Sequence, residues 1–295
     1  MAANVPWIEL ADDNSLPQLG FGVGQIANAD CPHLVGEALR FGYRSIDTAQ
    51  GYGNEQGVGT AIAHSGIPRS ELFVTSKLRN GAHSRDLALA SFDETMVDLG
   101  LEQLDLFLIH WPVPAQDLYV EAWQTLIELE AAGRIRSIGV SNFDPLHIDR
   151  LIAETGVAPV VNQIELHPRF QQRDLRAYHK RRDIRLESWS PLGPGNGSAQ
   201  WWSQHGRESG QGLLDDPAIV TIAARHSRTP AQILLRWHIQ EGLILCPKSS
   251  QPERIAENFA LFDFALDAED MYRIEALDDP HGRIGAAPAE WNLIL

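Results

Sequence analysis

The chain is poor in cysteine and has no long apolar run. Its two cysteines, Cys31 and Cys246, lie far apart and form neither a CxxC pair nor a metal-binding spacing. Such cysteine usage is typical of reduced thiols, so we expect a cytoplasmic protein. Residues 1–19 lack the basic and apolar regions of a signal peptide, and no run approaches the roughly 18 apolar residues of a membrane helix. We therefore expect no membrane partner.

The chain also has few basic residues and no histidine pattern of a metal site. It has 24 Lys and Arg residues against 39 Asp and Glu residues, a formal net charge of −15. Such an acidic surface argues against nucleic acid as a partner, and any anion site has to be a local cluster of cations. The 11 histidines show neither HxH nor HExxH spacing, so we predict no metal. The Ser and Cys nucleophile motifs of hydrolases are also missing.

Short apolar runs alternate with longer segments of helical period. Eight runs lie near residues 20–23, 43–47, 72–77, 104–110, 135–141, 160–165, 184–190 and 243–246. Eight strands that alternate with helices predict an α/β fold, the (β/α)8 or TIM barrel. A turn cluster at residues 12–14 predicts an N-terminal β-hairpin, and segments 217–226, 230–240, 252–259 and 267–276 predict extra C-terminal helices. No linker divides the chain, so we expect residues 1–295 to form a single domain.

A glycine-rich stretch, 193–212, follows the seventh predicted strand. Because barrel active sites form at the carboxyl ends of the strands, we interpret it as a mobile loop over a ligand. A disordered insertion without a role is the alternative. The pair Trp201 and Trp202 in this stretch is compatible with a cover for a cofactor and with a partner contact.

Four polar residues each follow one of three consecutive apolar runs: Asp47, Tyr52, Lys77 and His110. In a parallel barrel the ends of adjacent strands meet at one face, so we expect these side chains to converge. An ammonium group near a tyrosine stabilises the phenolate and lowers its pKa, and a carboxylate holds the ammonium in place. A proton-donating phenol beside a neutral imidazole indicates carbonyl reduction. Each residue alone also has a purely structural interpretation.

Three motifs extend this pattern. The segment from Asp47 to Glu55, DTAQGYGNE, resembles the signature of the aldo-keto reductases. The segment GVSNF at 139–143 is similar to the family's motif on the fifth strand, and PKSS at 247–250 with RIAEN at 254–258 resembles its late cofactor motif. The resemblance covers about residues 6–285, and the chain is most similar to the prokaryotic 2,5-diketo-D-gluconate reductase-like branch.

The resemblance implies an NADPH-dependent carbonyl reductase. Tyr52 would be its general acid and Lys77 the partner that lowers the pKa of Tyr52. Asp47 would pair with Lys77, and His110 would orient the substrate carbonyl.

The resemblance also assigns a cofactor site. Ser141, Asn142 and Gln163 would hold the nicotinamide carboxamide, and Trp189 would stack on the nicotinamide ring. Ser190, Pro191 and Leu192 would lie along the pyrophosphate. Lys248, Ser249, Ser250 and Arg254 would bind the adenosine 2′-phosphate, with Glu257 and Asn258 on the adenine side.

The two cations of this set favour NADPH over NADH independently of the resemblance. Lys248 and Arg254 lie six residues apart in an acidic chain, across a predicted loop and the start of a short helix, where a phosphate is well held. Solvated charges on a helix face are the alternative. A classical dinucleotide fold is disfavoured, because the run from Gly20 to Gly24 is followed by Gln25 where the fingerprint needs glycine.

Two positions indicate the substrate pocket. Relatives usually carry an aromatic residue near Gly24, so glycine there predicts a roomier pocket, and Trp111 is a candidate wall. The tail from His281 to Leu295 either closes over the substrate or packs on the barrel side.

Ketones, aldehydes, dicarbonyls and keto-sugars all remain open as substrates, and the favoured direction of the reaction also remains open. We expect a monomer; a non-catalytic cofactor-binding module, as in potassium-channel β subunits of the family, is the second hypothesis.

Overall fold

The computed structural model describes residues 5–193 and 212–294. Two short antiparallel strands, β1 (Trp7–Glu9) and β2 (Ser15–Pro17), form the predicted N-terminal hairpin. Leu10 and Leu16 from this hairpin pack with Phe73, Leu106 and Ile244 in one apolar cluster. The hairpin therefore closes the amino-terminal end of the barrel, opposite the face where the strands end.

Eight parallel strands follow one another in sequence order around the sheet. They are β3 (Phe21–Gly22), β4 (Ser45–Asp47), β5 (Phe73–Leu78), β6 (Leu104–Ile109), β7 (Ile135–Ser141), β8 (Val161–Glu165), β9 (Arg185–Trp189) and β10 (Ile244–Leu245). A parallel bridge between Leu19 and Leu245 joins the first strand to the last. The Gly20 amide donates to the Leu245 carbonyl at 2.8 Å, which closes the ring. The predicted barrel is confirmed.

Helices cover the outside of the sheet. Those within the described residues are α1 (Cys31–Phe41), α2 (Glu55–His64), α3 (Arg85–Leu99), α4 (Tyr119–Ala131), α5 (Pro145–Thr155), α6 (Arg173–Arg181), α7 (Pro217–His226), α8 (Pro230–Gln240), α9 (Pro252–Phe259) and α10 (Ala268–Glu275). None of these helices is long and apolar enough to cross a membrane. The predicted loop at 193–212, with Trp201 and Trp202, lies almost entirely outside the described residues.

The strands have apolar contacts on both faces, which explains their unbroken apolar runs. All six residues of β5 and all six of β6 are buried. On the outer face, Phe107 of β6 meets Phe92 of α3 with ring centroids 5.2 Å apart. Parallel strands buried on both sides read as continuous rather than alternating hydrophobic segments. A polar residue at the end of such a run, such as Lys77, therefore projects into the closed interior of the barrel.

Candidate active site

The four polar residues that follow consecutive strands meet at one end of the barrel. Lys77, on β5, donates hydrogen bonds to Asp47 Oδ1 at 2.7 Å and Oδ2 at 2.8 Å. Its third bond goes to the Thr48 carbonyl at 2.8 Å. The Lys77 Nζ lies 5.1 Å from the centroid of the Tyr52 ring, and the ring of His110 meets Tyr52 edge-on at 5.6 Å. The structure therefore brings all four predicted residues together.

The turn that carries Tyr52 is fastened to helix α3 by a residue that the sequence reasoning did not single out. Gln50 donates from Nε2 to the Ser91 carbonyl and to Thr95 Oγ1, both at 2.8 Å. Its Oε1 accepts from the Arg79 amide at 2.8 Å. Both polar atoms of the Gln50 side chain are thereby held in place. This fixes the start of the 3₁₀ turn Gln50–Tyr52 and limits where the phenol can move.

Two opposing effects set the acidity of Tyr52. Burial raises the pKa of Tyr52 and Lys77 lowers it, and the net pKa is raised to about 12. The lowering by Lys77 is thus present, as the sequence predicted, but burial outweighs it. For Lys77, burial lowers the pKa, but Asp47 and Tyr52 together raise it by more, so the net pKa of Lys77 lies above its ordinary value. At neutral pH the site therefore holds a phenol beside an ammonium.

His110 is neutral at physiological pH. Burial, followed by the charge of Lys77, lowers the pKa of His110 to about 3. A neutral imidazole keeps one N–H donor, so it can donate a hydrogen bond to a carbonyl oxygen without adding a second positive charge beside Lys77. The predicted orienting role of His110 is compatible with this form.

The residues predicted to hold the nicotinamide form one connected cluster at the ends of β7, β8 and β9. Ser141 donates to the Gln163 carbonyl at 3.0 Å, and Asn142 donates to Ser141 Oγ at 3.0 Å. The indole N–H of Trp189 donates to Asn142 Oδ1 at 2.8 Å. Gln163 also donates to Asp47 Oδ2 at 2.8 Å, which joins the cluster to the catalytic group. Amide and hydroxyl groups beside a flat indole match the chemistry of a carboxamide on an aromatic ring.

The three residues predicted along the pyrophosphate continue directly from Trp189. Ser190 has a left-handed backbone with φ of 51°, and Pro191 is buried. Leu192 is half-buried and packs against two apolar clusters of the core. The chain makes a turn here, in which the Gly193 amide donates to the Ser190 carbonyl at 2.8 Å.

The predicted 2′-phosphate residues are grouped around the start of α9. Lys248, Ser250 and Arg254 are exposed, whereas Ser249 is buried and accepts a hydrogen bond from the Gln251 amide at 3.1 Å. Within the described part of the chain no ion pair joins Lys248 or Arg254 to a carboxylate. Two cations without acidic partners in a chain of net charge −15 fit a bound phosphate.

The adenine-side pair differs from the other cofactor residues. Glu257 accepts a hydrogen bond at 2.7 Å from Thr229, the residue that begins α8, and Asn258 is buried. Glu257 therefore also has a structural partner in this fold, which the sequence did not indicate.

The pocket over Tyr52 is bounded by Gly24 and by the C-terminal tail. A Cβ at Gly24 would lie 3.6 Å from Tyr52 Cζ, so a larger side chain here would stand directly against the phenol. Trp111 stacks on Trp291 of the tail, with ring centroids 5.1 Å apart. The Leu293 carbonyl accepts from Asn80 at 2.8 Å. The tail therefore lies across the end of the barrel, beside Trp111, and not along the barrel side.

A buried carboxylate, Glu165, anchors this tail, and the sequence reasoning missed it. Its two oxygens accept backbone hydrogen bonds from Ile284 at 2.6 Å and Gly285 at 2.7 Å. A Cβ at Gly285 would lie 2.6 Å from the indole of Trp189, so the tail backbone touches the predicted stacking residue directly. Glu165 is the last residue of β8, a polar residue at a strand end as Asp47 is on β4, but the sequence reasoning did not single it out.

A second buried carboxyl, Glu187, was also missed. It lies on β9, is 2% exposed and sits with Asp47 and Cys246 so that one ligand atom of each lies within 4.8 Å of the others. Both Asp47 oxygens already accept hydrogen bonds from Lys77. Asp47 therefore links Glu187 and Cys246 to Lys77.

Comparison with known proteins matches this geometry. A model of the Aldo/keto reductase family matches residues 17–279. The chain is 48% identical over 287 residues to an aldo-keto reductase of Mycolicibacterium smegmatis, covering 97% of this chain and 98% of that protein. It is 46% identical over 290 residues to methylglyoxal reductase DkgA of Escherichia coli, covering 98% and 99%. A variant of Gox0644 solved in complex with NADPH is similar with a TM-score of 0.89 at 46% identity, covering 98% and 100%.

These likenesses extend over nearly the whole chain and include both the barrel and the ends of its strands. The chain belongs to the Aldo/keto reductase family and is an NADP-dependent oxidoreductase whose cofactor is NADPH.

Proposed function

We propose that this enzyme reduces small dicarbonyl compounds and keto-sugars to alcohols, with Tyr52 as the general acid. The observation that carries the proposal is the Lys77 ammonium, which is bonded to both oxygens of Asp47 and lies 5.1 Å from the Tyr52 ring. This ammonium stabilises the phenolate that forms when Tyr52 gives up its proton. Positioned proton donation of this kind contributes about 10² to 10⁴ in rate.

Each residue of the site has one task in the proposed reaction. NADPH, when bound, supplies the hydride. Asn142 and Trp189, joined at 2.8 Å, keep the indole face at a fixed orientation for the nicotinamide ring. His110 donates a hydrogen bond to the substrate carbonyl oxygen, and Tyr52 transfers its proton to the same oxygen as the alcohol forms.

Two features support a small carbonyl substrate that can approach Tyr52 closely. Gly24 leaves space against the Tyr52 ring, while the paired rings of Trp111 and Trp291, with centroids 5.1 Å apart, limit the pocket on the side of the tail. The similar protein of Escherichia coli is named a methylglyoxal reductase. We therefore place methylglyoxal and other dicarbonyls first among the candidate substrates, and keto-sugar acids second.

The test is a carbonyl panel with a matched variant. NADPH consumption is measured with methylglyoxal, phenylglyoxal, a diketo-sugar acid and a simple ketone, for the wild type and for Tyr52→Phe. We expect turnover of the dicarbonyls by the wild type and a loss of about 10² or more in kcat for the variant, with NADPH affinity unchanged. A Tyr52→Phe enzyme that retains most of its activity would refute the assignment of the acid.

We also propose that the protein acts as a monomer, a single folded domain in the cytoplasm. The support is one continuous ring of strands, closed between Leu19 and Leu245, with the predicted site at one end of it. Sedimentation of the purified protein near the 32.7 kDa mass of one chain is the expected result, and a stable dimer at assay concentrations contradicts it.

A further inference from the structure

The carboxyl group of Glu187 lies inside the barrel next to the catalytic pair, yet the proposed reaction gives it no role. Glu187 is paired in register with Gln163 on β8 and with Ile244 on β10, and it is 2% exposed. The ligand atoms of Asp47, Glu187 and Cys246 lie within 4.8 Å of one another. Within the described chain, Glu187 Oε2 has no hydrogen-bond partner.

The hydrogen bonds of Lys77 leave nothing for a second carboxylate. An ammonium has three donors, and those of Lys77 go to Asp47 Oδ1, Asp47 Oδ2 and the Thr48 carbonyl. The side-chain amide of Gln163 donates to Asp47 as well. An ionised Glu187 would thus be a buried negative charge beside a pair that is already neutral, which is strongly unfavourable.

We infer that Glu187 is a positioning residue that carries a proton on its carboxyl while the enzyme reduces carbonyls, and that loss of this proton weakens Tyr52 as an acid. The inference rests on the proposed role of Tyr52. When the proton leaves to solvent, the new carboxylate adds negative charge beside the Asp47–Lys77 pair. This charge destabilises the phenolate that Tyr52 forms on giving up its proton, so reduction slows. The same charge makes the phenolate a stronger base for the reverse oxidation of an alcohol.

The groups that face Glu187 place this titration near neutrality. Burial, followed by the charge of Asp47 on β4, raises the pKa of Glu187 to about 7, while hydrogen bonding to Gln163, the charge of Lys77 on β5 and hydrogen bonding to Cys246 act in the opposite direction. The remaining titratable neighbour is Cys246, after β10, and burial raises the pKa of its thiol so that it stays neutral. Proton exchange on Glu187 is therefore the charge change expected within this group between about pH 6 and 8.

The first test is the pH dependence of kcat/KM in both directions for the wild type and Glu187→Gln. For the wild type, kcat/KM for reduction is expected to fall about three- to tenfold between pH 6 and 8.5. Such a fall corresponds to a rise of about half to one unit in the pKa of Tyr52, if the whole change in acidity reaches the rate. In Glu187→Gln, which keeps the shape without the charge, this fall is expected to disappear. Unchanged profiles in Glu187→Gln would overturn the inference.

A matched control is Glu130→Gln. Glu130, on α4, is a half-buried carboxyl whose pKa burial also raises, but its charged neighbour is Asp12 and not Asp47 or Lys77. Its removal is expected to leave the midpoint of the pH profile in place. A midpoint that moves equally in both variants would contradict a specific role for Glu187.

A second measurement does not depend on activity. Infrared difference spectra of the wild-type protein between pH 5.5 and about 8.5 are expected to show loss of a protonated carboxyl band near neutral pH, absent from Glu187→Gln. No titrating carboxylic acid near neutrality would overturn the inference by itself. Failure of the proposed function is distinguishable, because it appears as a Tyr52→Phe enzyme that still reduces carbonyls.

Discussion

At the scale of single residues, the predicted tetrad depends on one ammonium. Lys77 is fully buried, and its three hydrogen bonds fix Asp47 and the backbone at Thr48 while leaving its charge beside Tyr52. The sequence could predict this group because Asp47, Lys77 and His110 stand at the ends of consecutive apolar runs and Tyr52 lies in the loop after the first of them. Strand ends on one barrel face must meet.

Other residues of the same site could not be predicted. Glu187 lies within β9, where no periodicity marks it, and Glu165 ends β8 without belonging to any of the motifs that the sequence offered. Their importance comes from what lies opposite in space: the tail backbone for Glu165 and Asp47 for Glu187. Gln50 was hidden for the same reason, because its partners are on α3, far along the chain. The net pKa of Tyr52 also required the structure, since burial and Lys77 act in opposite directions.

One residue-scale prediction concerns the choice of cofactor. Lys248→Ala is expected to weaken NADPH about 10- to 100-fold and to change NADH little, because a charge-assisted bond to a phosphate contributes about 1.5–3 kcal/mol. Dissociation constants from fluorescence titration with both cofactors provide the measurement. Lys180→Ala, which removes an exposed lysine at the end of α6, is the control for net charge. Equal weakening of NADPH and NADH by Lys248→Ala would refute contact with the 2′-phosphate.

At the scale of elements, the strands were predictable and the tail was not. The continuous apolar runs matched the strands because both faces of β5 and β6 are buried. The tail has little regular structure, and its position depends on contacts with distant residues: Glu165, Asn80 and Trp111. Such contacts leave no pattern in the sequence, so only the structure could decide between the two possible positions of the tail.

The anchoring of the tail yields a prediction for substrate binding. Glu165→Gln puts an amide where two backbone N–H groups converge, so at least one charge-assisted bond is lost, about 1.5–3 kcal/mol. We expect a rise of about tenfold or more in KM for the carbonyl substrate and faster proteolysis of the tail. Glu290→Gln, which neutralises an exposed carboxyl in the same tail, is the control and is expected to behave as the wild type. Unaltered KM and proteolysis in Glu165→Gln would show that the anchor has no effect on the pocket.

At the scale of the whole molecule, the closed barrel buries several histidines in neutral form. Burial lowers the pKa of His83, His179 and His238 to about 4 in each case. His83 is 1% exposed, and neither of its ring nitrogens has a hydrogen-bond partner in the described chain. The unfolded chain takes up protons at these groups below its ordinary pKa of 6.5, while the folded protein does not. Stability from these groups is therefore present above pH 6.5 and lost as the pH falls through about 4.

This linkage predicts a stabilising change at acid pH. His83→Leu removes one such group and is expected to reduce the loss of unfolding free energy between pH 6.5 and 4 by about 2–3 kcal/mol, since one pKa unit corresponds to about 1.4 kcal/mol. Urea unfolding at both pH values provides the comparison. His33→Leu, at a side chain that is 66% exposed, is the control. If the pH dependence of His83→Leu matches that of the wild type, His83 is not a source of the acid sensitivity.

The central claim, proton donation by Tyr52 beside Lys77, is tested most directly by a single turnover. Enzyme saturated with NADPH is mixed with methylglyoxal, and the rate of NADPH oxidation in the first turnover is compared between the wild type and Tyr52→Phe. The proposed mechanism predicts equal cofactor binding and a fall of about 10² or more in the rate of the variant. A first turnover that is equally fast in both proteins would contradict it.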